Sequence, residues 1–91
     1  MSKTAQSVWE NCLSFIKDNI QDQAYKTWFE PIKSVELTDN ALYIQVPSKF
    51  FYEWLEEHYV KLLKFGYYFS RKKDGAILVF FWDNKYVNKF L

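Results

Sequence analysis

Only one cysteine, Cys12, occurs in the 91 residues, so no intramolecular disulfide and no thiolate metal cluster can form, a pattern suited to a reducing cytoplasm. Glycine and proline are scarce, two of each, which excludes a linker or a low-complexity tail. Neither Gly66 nor Gly75 belongs to a GxxxxGK or GxGxxG arrangement, so the chain has no loop built to cradle phosphates. His58 is the only imidazole, and neither it nor Cys12 has a partner at metal-ligand spacing. Long apolar runs are also missing. Lys3, Glu10, Lys17 and Asp18 interrupt the first 20 residues, where the apolar stretch of a signal peptide would lie, and nothing is long enough to span a bilayer. The expectation is a soluble cytoplasmic chain with no membrane contact, no cofactor and no small-molecule substrate.

What the chain has in quantity is apolar and aromatic surface, 49% hydrophobic and 22% aromatic residues, the profile of a packed domain. Ninety-one residues support one core, because two smaller pieces would each bury too little apolar area to offset the entropy of ordering them. Residues 1–91 are therefore read as a single domain. The net charge of +1 conceals a split: residues 1–60 hold five Lys/Arg against nine Asp/Glu, and residues 61–91 hold seven against two.

Hydrophobic periodicity orders the elements. Val8, Trp9, Cys12, Leu13, Phe15, Ile16 and Ile20 recur at helical spacing and predict an amphipathic helix from about Thr4 to Asn19. Asp22 reads as the N-cap of a short second helix that Pro31 stops. Between Lys33 and Val46 the apolar residues alternate about the turn signal Thr38-Asp39-Asn40, which predicts a β-hairpin. Pro47-Ser48 starts a third helix, with its apolar stripe on Phe51, Leu55, Tyr59 and Leu62, running to about Lys64. Phe65 to Phe69 either prolongs that helix or leaves it at Gly66, and Lys72 to Gly75 reads as a turn. Ala76 to Trp82 is a third strand buried on both faces or nearly so, and the tail beyond Asn84 is expected to fray. The fold class is α/β, of the α+β kind, in the order helix, helix, strand, strand, helix, strand, with a three-stranded sheet packed against helices.

Catalytic chemistry finds no support in this inventory. His58 sits at the core border of the third helix beside Glu57, with no serine at helical spacing to serve as nucleophile. Glu53, Glu56 and Glu57 lie on the outer and flanking faces of that helix, where no apolar pocket separates their acidities into acid and base. No catalytic residue and no metal ligand is proposed.

The aromatic excess suggests binding instead, because Trp9, Trp28, Phe29, Phe50, Tyr52 and Trp54 cannot all be central in so small a core. Phe50 lies off the apolar stripe, with Glu57 on its own flank of the helix, and reads either as a docking hot spot or as packing on Pro47. Trp54, nearer the stripe, reads as core. Trp9 and Val8, near the start of the first helix, read either as core or as a partly exposed self-association contact. Lys61, Lys64, Arg71, Lys72 and Lys73 form either a solvated helix end or a patch that holds the phosphates of a single strand, with Tyr67 and Tyr68 stacking on bases.

Three segments then resemble a known family. Val8-Trp9-Glu10-Asn11-Cys12-Leu13 with Tyr25-Lys26-Thr27-Trp28-Phe29-Glu30-Pro31-Ile32, and Val46-Pro47-Ser48-Lys49-Phe50-Phe51 continuing to Tyr59, resemble the N-terminal domain of the bacterial replication initiator DnaA over roughly residues 7–64. Residues 65–91 match only in length and in a final strand. The resemblance implies a KH-like fold without the GxxG loop of true KH domains. It further implies a non-enzymatic module that binds other initiator copies, the replicative helicase and a regulatory protein; the alternative, from the basic and aromatic segment 61–73, is weak single-stranded DNA binding. It places Phe50 at the helicase contact and Trp9 at self-association; Glu57 on the flank of Phe50 and Tyr25 of the second helix are taken as candidate helicase or regulator contacts, and Val8 as a candidate self-association contact. Ala24 stands where the family has an acidic residue beside the second helix's aromatic. The ATP-binding and DNA-binding domains of full-length members are absent from these residues, so the chain is read as an excised domain or a truncated product.

Overall fold

Thr4 and Ser7 begin the first helix by exchanging hydrogen bonds. The Thr4 hydroxyl accepts the Ser7 backbone N–H and the Ser7 hydroxyl accepts that of Thr4, each at 3.0 Å, so two otherwise orphaned donors are satisfied. In the computed structural model, which describes residues 4–72 and 75–82 and the backbone course of residues 85–90, helix α1 spans Ala5–Lys17. The helix ends two residues before the expected Asn19, whose side-chain amide donates to the Phe15 carbonyl at 2.7 Å and closes the last turn.

Helix α2, Asp22–Trp28, corrects the expected cap: Gln21 takes the cap position without a side-chain bond, and Asp22 is already helical, paired with Lys26 at 3.2 Å. Strands β1 (Lys33–Leu37) and β2 (Ala41–Gln45) form the predicted antiparallel hairpin. Helix α3, Lys49–Arg71, then carries the chain across to β3, Ile77–Trp82, which runs parallel to β2, a pairing that requires such a crossover. The predicted order of elements is therefore present. A fourth strand, β4 (Lys85–Phe90), lies where fraying was expected. It pairs antiparallel with β3 and covers a strand edge that would otherwise leave its backbone groups unpaired, giving the sheet order β1-β2-β3-β4. Ile16, Phe29, Leu42, Ile44, Leu55 and Phe80 are wholly buried between helices and sheet, each contributing about 1.5–3 kcal/mol of transfer free energy.

Helix α3 is seven residues longer than the expected end at Lys64. Gly66, read as a point where the helix could end, lies inside it, against α1. A Cβ there would sit 3.4 Å from the Cys12 carbonyl oxygen, from Ile16 Cγ1 and from Phe15 Cδ1. A methyl would just reach van der Waals contact there and any longer side chain would collide, so the helices approach only over a small residue, and that packing offsets the roughly 1 kcal/mol by which glycine disfavours a helix interior. Beyond it, the buried Ser70 hydroxyl donates to the Val8 carbonyl at 2.9 Å. Arg71 donates to the Tyr67 hydroxyl at 3.2 Å and to the carbonyls of Thr38 and Asp39 at 3.2 and 2.7 Å, tying the helix end to the hairpin turn. Lys72 ends the helix in the left-handed region, φ 51° and ψ 43°. Tyr59 departs from helical geometry, φ −130° and ψ 15°, and divides α3 into two halves.

Two outcomes follow from this packing. Gly66→Ala should unfold within a few degrees of the parent, whereas Gly66→Leu should lose about 1–3 kcal/mol by overpacking against α1, both read by thermal unfolding. Burial pushes the Cys12 thiol from 9.0 up to about 12, and raises the hydroxyls of Tyr52, which also donates to Glu56 at 2.7 Å, and Tyr67. All three are neutral in both states below about pH 8; above it the unfolded chain releases its protons first, beginning with the Cys12 thiol, so stability should be level from pH 7 to 8 and fall as pH rises further. A melting temperature that does not decline between pH 9 and 11 contradicts this.

Candidate functional site

Ser48 sets the phase of α3. Its hydroxyl accepts the Phe51 N–H at 3.1 Å, fixing the first turn, so Tyr52 and Leu55 point into the core and Phe50 points away from it. Phe50 is 64% exposed. Its ring centroid lies 6.3 Å from that of Trp54, which stacks on Trp28 of α2 at 4.9 Å with the planes only 9° apart. His58 follows at 4.1 Å from Trp54, and Phe51 closes against Trp28 at 5.0 Å. Trp54, expected in the core, is half-buried in this surface ladder instead, because α2 supplies a tryptophan for it to stack upon. Glu53 and Glu57 stand exposed beside it.

Of the three residues expected at one docking site, Phe50 and Glu57 share the outer face of α3, whereas Tyr25 stacks on Phe29 at 6.3 Å beneath the Lys17 ammonium. Burial, then Glu30, raises the Tyr25 hydroxyl above its ordinary range.

Of the two readings of Trp9 and Val8, the structure gives the core. Trp9 is 3% exposed and Val8 1%, because both lie on the side of α1 that faces the rest of the core, where Val8 also presents its carbonyl to Ser70.

The basic group divides. Lys61, Lys64 and Lys72 are exposed, but Arg71 is engaged with Tyr67 and the hairpin turn, and Tyr67, one of the two tyrosines expected to stack on bases, is buried. Lys73 lies outside the described residues. What the sequence reading missed is the company these lysines keep. Phe65, Tyr68 and Phe69 are exposed on the same two turns, with Phe69 stacked on Phe15 of α1 at 5.6 Å beside a shallow groove lined by Asn11, Ser14 and Asp18. The signal was available in the i, i+4, i+7, i+11 spacing of Lys61, Phe65, Tyr68 and Lys72 once the helix is continued through Gly66.

Among the described residues no three His, Cys, Asp or Glu side chains converge on a metal-sized site, and no helix is long and apolar enough to cross a membrane. What this geometry offers is aromatic surface held rigid by stacking, with carboxylates at one end of α3 and ammonium groups at the other. Replacing Trp28 and Trp54 singly and together by alanine should give a coupling of about 0.5–1.5 kcal/mol in a double-mutant cycle of unfolding free energies; strict additivity contradicts the stacked pair.

The model of the DnaA N-terminal domain matches residues 6–65. The chain is 73% identical over 90 residues to the chromosomal replication initiator protein DnaA of Flavobacterium psychrophilum, covering 98% of this chain and 19% of that protein. Those of Bacteroides fragilis and Chlorobaculum tepidum are 49% identical over 57 residues and 51% over 55, covering 63% and 60% of this chain and 12% and 11% of theirs. The chain thus spans at most about a fifth of the length of these relatives. The family model stops at Phe65, whereas the Flavobacterium match continues across the aromatic end of α3.

Proposed function

The chain belongs to the DnaA N-terminal domain family, and on that premise we propose that it is the protein-interaction module of a bacterial replication initiator. It acts in the cytoplasm without catalysis, binding other copies of the initiator and docking the replicative helicase or a regulatory protein. The observation that carries this reading is Phe50: a large apolar ring, 64% exposed, on the capped first turn of α3, backed by the Trp54–Trp28 stack and flanked by Glu53 and Glu57. A rigid aromatic anchor beside charged groups is the composition of a binding hot spot, since it loses little side-chain entropy on docking and buries a large area. Nothing in the interior needs it there, for the core is closed beneath it by Tyr52 and Leu55.

The single-strand reading has less to rest on. Arg71 and Tyr67 are committed to the fold, and Glu53 and Glu57 would repel a phosphate backbone along the first half of α3.

Capture of the cognate replicative helicase by this chain, compared with its Phe50→Ala variant, tests the docking reading. The variant should melt within a few degrees of the parent, as surface substitutions do, and bind more weakly by at least about 1 kcal/mol. Undiminished capture, or a large fall in melting temperature with binding intact, would make Phe50 a packing residue.

A further inference from the structure

Beyond the break at Tyr59, the second half of α3 keeps helical geometry to Arg71. At about 100° per residue, Lys61, Lys64, Phe65, Tyr68 and Phe69 fall within an arc of roughly 140°, opposite the buried Leu63, Gly66, Tyr67 and Ser70. Phe65, Tyr68 and Phe69 are 62, 57 and 59% exposed. Lys61 and Lys64 stand exposed among them, and the Lys72 ammonium lies 5.9 Å from the centre of the Phe69 ring. No acidic residue occurs in the sequence between Glu57 and Asp74. Apolar area concentrated in this way, rimmed by charge of one sign, marks an interface rather than scattered exposure.

Helix α1 supplies a second wall. Phe15 stacks on Phe69 at 5.6 Å, and Asn11, Ser14 and Asp18 line the shallow groove beside that pair. All three are exposed, and among the described residues their side chains make no hydrogen bond or ion pair. From Asn11 to Asp18 the helix rises about 10 Å, the length of three residues of an extended chain. We propose that this groove and the basic, aromatic face beside it dock an extended segment of another protein, one that carries apolar and acidic side chains. An apolar side chain packs on Phe69 and Phe15. Asn11 and Ser14, each able to donate and to accept, pair with the segment's backbone, and Asp18 accepts one of its N–H groups. The segment's carboxylates reach Lys72 and, further along α3, Lys64 and Lys61.

A peptide is favoured over other anionic occupants because it alone uses both walls. A nucleic acid strand would find the lysines and rings, but its phosphates would meet the Asp18 carboxylate in the groove, and one face of Phe69 is already taken by Phe15. An anionic lipid surface would leave the amide of Asn11 and the hydroxyl of Ser14 without partners and press Asp18 against its own charge. The surface lies across the break at Tyr59 from Phe50, and the family model stops at Phe65 whereas the Flavobacterium match continues through it. It is therefore separate from the site proposed for the helicase and does not rest on that reading.

Fluorescence anisotropy with a labelled peptide, Asp-Asp-Leu-Asp-Asp-Phe, tests this against two controls, Lys-Lys-Leu-Lys-Lys-Phe and Asp-Asp-Ser-Asp-Asp-Ser, with NMR of the chain to locate the contact. The acidic, apolar peptide should bind at least about tenfold more tightly than either control, and should shift the amides of residues 11–18 and 61–72. Lys61→Glu with Lys64→Glu, and separately Phe69→Ser, each shown by circular dichroism to be folded, should weaken it at least about fivefold. Equal binding of all three peptides, or shifts confined to the surroundings of Phe50, would overturn the proposal. A labelled oligo-dT strand that binds the same residues more tightly than the peptide would overturn it in favour of nucleic acid. Co-sedimentation with vesicles of phosphatidylglycerol and phosphatidylcholine, lost in the Lys61, Lys64 variant while no peptide binds, would overturn it in favour of lipid.

Discussion

The crossing of α1 over the second half of α3 is the contact on which the rest of the structure depends. Gly66 places a backbone with no side chain against Cys12 and Ile16, and the Ser70 hydroxyl closes the same crossing on the Val8 carbonyl. Because that crossing is tight, the inner side of α3 is committed through Tyr67 and Ser70, and the helix has to continue to Arg71, which anchors it on the hairpin turn. Phase does the rest: once the inner side is fixed, the side chains half a turn away are held in solvent whatever their polarity.

This accounts for the aromatic surplus. A domain of 91 residues has one core of limited volume, and it is filled by Phe29, Phe80, Tyr52 and Trp82 with aliphatic residues from both strands and helices. The most exposed rings among the described residues, Phe50, Phe65, Tyr68 and Phe69, stand on the outside of α3 in two sets, one buttressed by Trp28 of α2 through Trp54 and the other by Phe15 of α1. Rings fixed by neighbours are already ordered before a partner arrives, so less entropy is lost on binding.

Much of the fold could be read from the residues. Alternation about Thr38-Asp39-Asn40 gave the hairpin, Ser48 the start of α3, and the apolar run from Ala76 the inner strand, because each depends on local periodicity or a cap. The end of α3 could not be read in this way: whether Gly66 ends a helix or lets another helix approach depends on a partner 50 residues away in the chain, and local pattern cannot see it. The same limit governed the site. Phe50 was legible because its phase conflicts with its hydrophobicity within one helix, but Trp54 depended on the tryptophan that α2 brings to it. Trp9 depended on which side of α1 meets the core, and the fourth strand on an edge of β3 left open.

The account separates an inner face of α3 that holds the fold from an outer face that does not, and one thermal unfolding experiment tests that division directly. A chain in which Phe50, Phe65, Tyr68 and Phe69 are all replaced by glutamine should unfold cooperatively and no more than about 15 °C below the parent, since four exposed substitutions at roughly half a kilocalorie per mole or less each total about 2 kcal/mol. A loss of cooperativity, or a fall of more than about 15 °C, would mean that these rings belong to the core and that the outer face of α3 is not free to bind anything.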